Sequence, residues 1–274
     1  MAERLALIAG SGALVPEVIA AARRKGFELK LLTISSKQRF EGFEPVRFSL
    51  SNPQVAIDAI RSFGATHFAM AGGVSLSDMV REGLASFFSG ASVRQSIGDT
   101  SISDLVLRLE NLTGARPMGV HEIAPELLAP QGVIAGPTPT ELVSETAAYG
   151  LELARKAGAL DLGQAVVVAG RRAIAAEDVG GTDALLKRVK WLRWKGLVAG
   201  SGASPLLLAK CPKPDQPLLI DMPAIGPRTV ENARKSGVCA IAVEAGGTLL
   251  IQRERLRETA DRLGVTVIGL PKHG

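Results

Sequence analysis

Residues 5–12, Leu-Ala-Leu-Ile-Ala-Gly-Ser-Gly, set an apolar run directly against a glycine turn. An unbroken apolar run this short reads as a strand buried on both faces, the signature of a parallel sheet. Gly10-Ser11-Gly12 turns the chain, and Glu17 to Lys25 has helical composition that stops before Gly26. Leu29 to Ile34 returns as a second buried strand, Pro53 to Phe63 is helix-like, and Thr66 to Ala71 is a third apolar run stopped by Gly72-Gly73. The order β-α-β-α-β implies a parallel, Rossmann-like sheet, because parallel neighbours need crossover connections.

Ser101 to Leu112 continues as helix, and Gly132-Val133-Ile134-Ala135-Gly136-Pro137-Thr138-Pro139 is rich in turn formers. A domain boundary there gives an N-terminal Rossmann-like domain, 1–134, and a C-terminal mixed α/β domain, 135–274. The catalytic groups are expected in the second, with substrate in the cleft between the two. Its pattern is one long helix, roughly Thr140 to Lys156, then a hairpin of Ala165 to Ala169 and Ala173 to Ala176 around Gly170-Arg171. Further strands are expected at Leu206 to Lys210, Leu218 to Ile220, Ala240 to Val243, Leu249 to Ile251 and Val265 to Leu270. Helices are expected at Asp183 to Trp194, Pro227 to Ser236 and Glu254 to Leu263.

The composition is that of an ordinary soluble protein. The chain has 274 residues, 46% hydrophobic and 22% charged, and no apolar run approaches the ~20 residues of a spanning helix. The N-terminus lacks a signal peptide's layout, so the expected location is the cytoplasm. Cys211 and Cys239 have no metal-finger spacing and read as buried or incidental thiols. His67, His121 and His273 are too scattered for a zinc site or a catalytic dyad. A net charge of +5 suits anionic partners without selecting one, and no nucleic-acid motif accompanies it.

Several stretches could carry chemistry. Gly10, Ser11 and Gly12 sit between a strand and a helix start, where backbone N–H groups suit phosphate. A dinucleotide fingerprint would need glycine at Val15 and an acid after the second strand, where Ile34-Ser35-Ser36 stands. Asp99 precedes a helix and is either an N-cap carboxylate or a group facing substrate. Gly180-Gly181-Thr182-Asp183 offers flexible backbone, a hydroxyl and a carboxylate at a helix start, a layout able to hold phosphate, or a plain cap.

The sharpest stretch runs from Lys210 to Pro227, KCPKPDQPLLIDMPAIGP. Asp221 at a strand end, followed by Ile225-Gly226-Pro227 opening a helix, could bind Mg²⁺ while the helix start meets phosphate, with Lys210 or Lys213 neutralising the remainder. The plain alternative is a turn carboxylate with solvated lysines. From Lys187 to Lys195, KRVKWLRWK carries five basic residues and no acid. It reads either as a core-facing helix with buried tryptophans, the plainer choice, or as a helix resting on an anionic membrane.

Taken in order, the Ala9–Gly12 turn, Gly98-Asp99, Leu162-Gly163-Gln164 with its following apolar run, Gly181-Thr182-Asp183-Ala184, Lys210 with Lys213-Pro214, Asp221-Met222-Pro223-Ala224-Ile225-Gly226-Pro227 and Glu244-Ala245-Gly246 resemble the LpxI family of UDP-2,3-diacylglucosamine pyrophosphatases. The likeness runs through nearly the whole chain. It implies Mg²⁺-dependent hydrolysis to UMP and 2,3-diacylglucosamine 1-phosphate by attack of water on the β-phosphate. Asp221 becomes the essential carboxylate and metal ligand, Lys210 and Lys213 the phosphate-neutralising groups. Gly10, Ser11, Gly12, Asp99, Thr182, Asp183, Ile225 and Gly226 become the substrate contacts. It further implies a peripheral position on the inner face of the inner membrane, and it leaves a homodimer open. Thr100 and Gly180 stand where the family pattern has acids, with Glu177 or Asp178 near enough to replace the second. Those departures keep a rival open, a non-catalytic nucleotide-sugar or lipid-binding regulator of the same fold.

Overall fold

The computed structural model describes residues 3–33, 39–48, 53–73, 99–198, 204–214, 219 and 222–272, with backbone alone for 99–105. Two compact units result, one comprising Met1–Glu126 with Pro217–Asp221, the other Leu127–Gln216 with Met222–Gly274.

In the first unit the chain runs β1 (Arg4–Ala9), α1 (Leu14–Arg24), β2 (Glu28–Thr33), β3 (Val46–Arg47), α2 (Gln54–Phe63), β4 (His67–Ala71), α3 (Asp99–Thr113), β5 (Arg116–Pro117) and α4 (Val120–Ile123). The strands form one parallel sheet in the order β3-β2-β1-β4-β5. β1 is the central strand, and Leu5, Ala6, Leu7 and Ala9 have no exposed surface, as its unbroken apolar run requires. Ala6, Ile8, Phe68 and Met70 pack on Ile57 and Ile60 of α2 and on Val106 and Leu109 of α3. α2 stops at Gly64, whose left-handed φ of 66° ends the helix at little steric cost. Helix α1 starts at Leu14, three residues before the expected Glu17, because Pro16 fits the first turn of a helix.

The second unit contains β6 (Gly132–Ala135), α5 (Glu141–Ala159), β7 (Ala165–Ala169), β8 (Arg172–Ala176), α6 (Gly181–Trp194), β9 (Leu206–Lys210), β10 (Ala224–Ile225), α7 (Pro227–Lys235), β11 (Ala240–Glu244), β12 (Leu249–Leu250), α8 (Arg253–Leu263) and β13 (Thr266–Leu270). Its main sheet is mixed, in the order β6-β13-β11-β9-β7-β8. β13, β11 and β9 are parallel, while β6, β7 and β8 add antiparallel strands at the two flanks. Gly132–Ala135, within the segment rich in turn formers, is thus an edge strand of this sheet. The sequence pattern of turn formers hid it because an edge strand pairs on one side only. The strand expected at Leu218 to Ile220 falls largely outside the described residues, and Leu219 within it is a turn.

Strand parity divides the second core. Leu206 and Leu208 face α6, α7 and α8, with Leu186, Val189, Val230 and Leu256 against them. Leu207 and Ala209 face α5, against Ala147, Leu151 and Ala154. Each leucine fully buried in this way contributes roughly 1.5–3 kcal/mol over its exposed state. Gly150 brings α5 close to the sheet, since a Cβ there would lie 3.0 Å from that of Ala209. Gly158, two turns on, leaves room for the backbone of Lys213, whose Cα would be 3.2 Å from an added Cβ.

The expected burial of the tryptophans on α6 is corrected. Leu185, Leu186 and Val189 take the inner face, leaving Trp191 51% and Trp194 75% exposed. The ammonium of Lys195 lies 4.6 Å from the centre of the Trp194 ring. Among the described residues no helix is long and apolar enough to cross a membrane.

Candidate functional site

The groups that gather best lie in the second unit, at the carboxyl end of β9. Lys210 ends that strand, and its Nζ donates to Thr182 Oγ1 at 2.9 Å and to the carbonyl of Ala224 at 3.3 Å. Thr182 lies in the first turn of α6, and Ala224 stands just ahead of Gly226, the N-cap of α7. One ammonium therefore joins two helix starts. Neither start is capped by a side chain at its cap residue, Gly180 or Gly226. The positive dipole ends of two helices beside a half-buried ammonium make a positively polarised centre suited to phosphate oxygens.

Thr182 is itself held. Its hydroxyl donates to Glu177 Oε1 at 2.7 Å, and Glu177 Oε2 accepts from the Gln164 backbone N–H at 2.9 Å. Glu177 follows β8 and extends the hairpin pairing, its own N–H donating to the Ala165 carbonyl. Gly163 leaves room for it, since a Cβ there would come within 2.7 Å of the Glu177 carbonyl and 2.8 Å of its Cβ. A Cβ added at Gly180 would meet Ala184 Cβ at 2.8 Å and Asp178 Oδ1 at 2.9 Å. In this local fold Glu177 is the carboxylate beside Thr182, while Asp178 accepts from the Gly180 N–H.

Asp183, in the first turn of α6, is hydrogen-bonded to α7. Oδ2 accepts from Arg228 at 2.7 Å and Oδ1 from Asn232 at 3.0 Å, both on α7. Lys213 is paired with Asp161 at 2.5 Å across the end of α5. Ile225 is 1% exposed and its side chain belongs to the core, so it anchors the approach to α7 from within. Gly226 is extended and its N–H donates to Thr229 Oγ1 at 3.3 Å, which sets Pro227 at the first helical position.

In the first unit, Gly10, Ser11 and Gly12 lie where strand order reverses between β1 and β4, the switch point of an open α/β sheet. Gly10 N–H donates to the Ala71 carbonyl at 2.8 Å and Gly73 N–H to that of Ser11 at 2.6 Å. A Cβ on Gly72 would sit 2.6 Å from Val15 Cγ2 and 2.7 Å from the Ser11 carbonyl, so the two turns close on each other only with glycine. Asp99 opens α3, and its side chain lies outside the described residues; Asp221 also lies outside them.

From the sequence, Glu177 enters only as a replacement acid, Gln164 only within a stretch that carries the family resemblance, and Arg228 and Asn232 do not enter at all. The hairpin register carries the missing signal: pairing Val166 with Ala176 extends to Ala165 opposite Glu177, whose carboxylate then reaches the backbone N–H of the adjoining Gln164. Among the described residues no three His, Cys, Asp or Glu side chains gather as a metal site. The oxygens of Thr182 and Ala224 already hold an ammonium, so a divalent cation does not fit among those atoms. Cys211, the residue after Lys210, is buried. Burial first, and the nearby Glu244 carboxylate second, push its thiol up to about 12, so it stays neutral.

Residues 4–127 match the family model of the LpxI N-terminal domain and residues 130–268 that of the LpxI C-terminal domain. The UDP-2,3-diacylglucosamine pyrophosphatase LpxI of Caulobacter vibrioides is 31% identical over 279 residues, covering 97% of each chain. Among solved structures, the UDP-glucose 4-epimerase of Thermus thermophilus in complex with NAD is 17% identical. It covers 97% of this chain and 86% of its own, at a TM-score of 0.30, too slight a likeness to bear on fold or function.

Proposed function

The chain belongs to the LpxI family, and on that ground we propose that it hydrolyses the pyrophosphate of UDP-2,3-diacylglucosamine in lipid A synthesis. The products would be UMP and 2,3-diacylglucosamine 1-phosphate. The observation that carries the reading is Lys210, a half-buried ammonium joining two helix starts.

Hydrolysis of a phosphoanhydride places extra charge on the phosphoryl and bridging oxygens, and catalysis consists largely of neutralising that charge in a fixed geometry. Lys210 and the first turns of α6 and α7 meet the phosphates. Lys213, held by Asp161, adds a second positive charge on the strap that follows β9. The attacking water forms a bond to the β-phosphorus, and the bond from that phosphorus to the bridging oxygen breaks. The bridging oxygen leaves with UMP. Asp221 orients the water and takes its proton, or serves as the carboxylate anchor of Mg²⁺. If Mg²⁺ binds, Asp221 would hold it and the cation would supply Lewis acidity. Gly10, Ser11 and Gly12 are the proposed nucleotide contacts, and Asp99 is a further proposed substrate contact.

The acyl chains of the substrate point to a membrane. The exposed Trp191, Trp194 and Leu197, with the basic residues of α6, form a surface able to rest on anionic lipid. This supports a peripheral place on the cytoplasmic face of the inner membrane.

Release of UMP from UDP-2,3-diacylglucosamine in ¹⁸O-water tests the reading. Turnover is expected with Mg²⁺, with loss of turnover on chelation and label in the sugar phosphate alone. Binding without turnover would move the assignment to the regulator reading, and label in UMP would place the attack on the α-phosphate.

A further inference from the structure

Glu177 has no assigned part in the reaction proposed above, yet its carboxylate fixes the hydroxyl that holds Lys210. We propose that Glu177 is a positioning residue, which sets the direction of the Lys210 ammonium through the Thr182 hydroxyl. Only the kinetic consequence of this role rests on the hydrolase reading.

The direction of the hydrogen bonds follows from chemistry. A lysine ammonium only donates and a carboxylate only accepts, whereas a hydroxyl has one proton and two lone pairs. With Lys210 Nζ 2.9 Å from Thr182 Oγ1, that oxygen must accept on the lysine side. Its single proton then points to Glu177 Oε1, 2.7 Å away. The chain reads Lys210 to Thr182 to Glu177 in one sense only. Glu177 Oε2 is fixed in turn by the Gln164 N–H at 2.9 Å. The carboxylate thus has one oxygen on the backbone of the strap before β7 and the other on the relay. Gly163 lets the backbone of Glu177 approach that strap, within 2.7 Å of where its Cβ would be. Thr182 and the Ala224 carbonyl hold two of the ammonium's three N–H groups, and among the described residues the third has no hydrogen-bond partner and can meet an anion.

Glu177→Gln is a sharp probe because it keeps shape while reversing polarity. The Gln164 N–H still demands an acceptor, so the new amide must turn its oxygen there and its NH₂ toward Thr182. That NH₂ donates to Oγ1, competes with Lys210 for the lone pairs and displaces the proton of the hydroxyl. Thr182→Val removes the relay without touching Glu177.

Two measurements decide the matter on the full chain, after circular dichroism has shown each variant folded. The first is competitive acetylation of Lys210 by acetic anhydride, read by peptide mass spectrometry, which needs no substrate. Glu177→Gln and Thr182→Val should each raise its rate about fivefold, the equivalent of one hydrogen bond, and the double variant no further. The second is UMP release, where Glu177→Gln should lower kcat about tenfold or more with KM nearly unchanged. Unchanged acetylation of Lys210 in Glu177→Gln, or additive effects in the double variant, would overturn the relay even if the wild type hydrolyses nothing. A rise in KM at constant kcat would overturn the positioning role. An inactive wild type with the expected acetylation pattern would instead reject the hydrolase reading and leave the relay standing.

Discussion

Both units end apolar strands beside a helix start, yet they treat the resulting backbone polarity differently. At the switch point of the first, two glycine turns close on each other through backbone bonds from Gly10 to Ala71 and from Gly73 to Ser11. At the end of β9 in the second, side chains intervene: Lys210, Thr182 and Glu177 form a directed chain, and Asp183 joins the flanking helices. The contrast amounts to a division of labour. Backbone turns offer a fixed, mildly positive surface suited to recognition, whereas a held ammonium supplies the concentrated charge that bond cleavage needs.

Asp221→Asn should cost the most, lowering turnover about 10²- to 10³-fold by analogy with loss of a central electrostatic group. Steady-state UMP release reads it; near-normal turnover would remove Asp221 as the essential carboxylate. Gly12→Ala should be milder and of another kind. Gly12 has a φ of 106°, strained for alanine although its Cβ would meet no atom within 4 Å. The turn should shift, and KM should rise about tenfold while kcat holds. A loss in kcat alone would erase the distinction between the regions.

The double variant Trp191→Ala with Trp194→Ala should lower flotation with phosphatidylglycerol vesicles several-fold. Melting temperature should barely move, because exposed side chains contribute within about 0.5 kcal/mol. Unaltered flotation would remove α6 as the membrane contact. The weakest response should come from Cys211. Its thiol titrates near 12 in the fold against an ordinary value of 9.0. A group whose folded pKa is raised adds stability that is complete below pH 9 and is lost as pH climbs toward 12. Denaturant midpoints should therefore be insensitive to this thiol from pH 7 to 9, then fall, and Cys211→Ala should flatten the fall.

The fold was legible where periodicity was strong. Leu5–Ile8, Leu206–Lys210 and the hairpin around Gly170-Arg171 read directly, because a fully buried strand leaves an unbroken apolar run. The two-residue strands Val46–Arg47 and Arg116–Pro117 carry too few residues to show any period. Lys210 and Thr182 were legible as candidates through residue type at strand and helix ends. Their partnership, like Glu177's, depends on which strands become neighbours, information held in long-range pairing. The exposed tryptophans show a further limit: on α6 a basic aromatic face and an aliphatic face compete for the core, and the smaller aliphatic side chains won it.

If Lys210 is the charge centre of the reaction, Lys210→Met is the decisive variant, because methionine keeps much of the stem and removes the ammonium. In UMP release from UDP-2,3-diacylglucosamine, with folding verified by circular dichroism, kcat should fall about a hundredfold or more at nearly constant KM. Wild-type kcat in that variant would contradict the assignment.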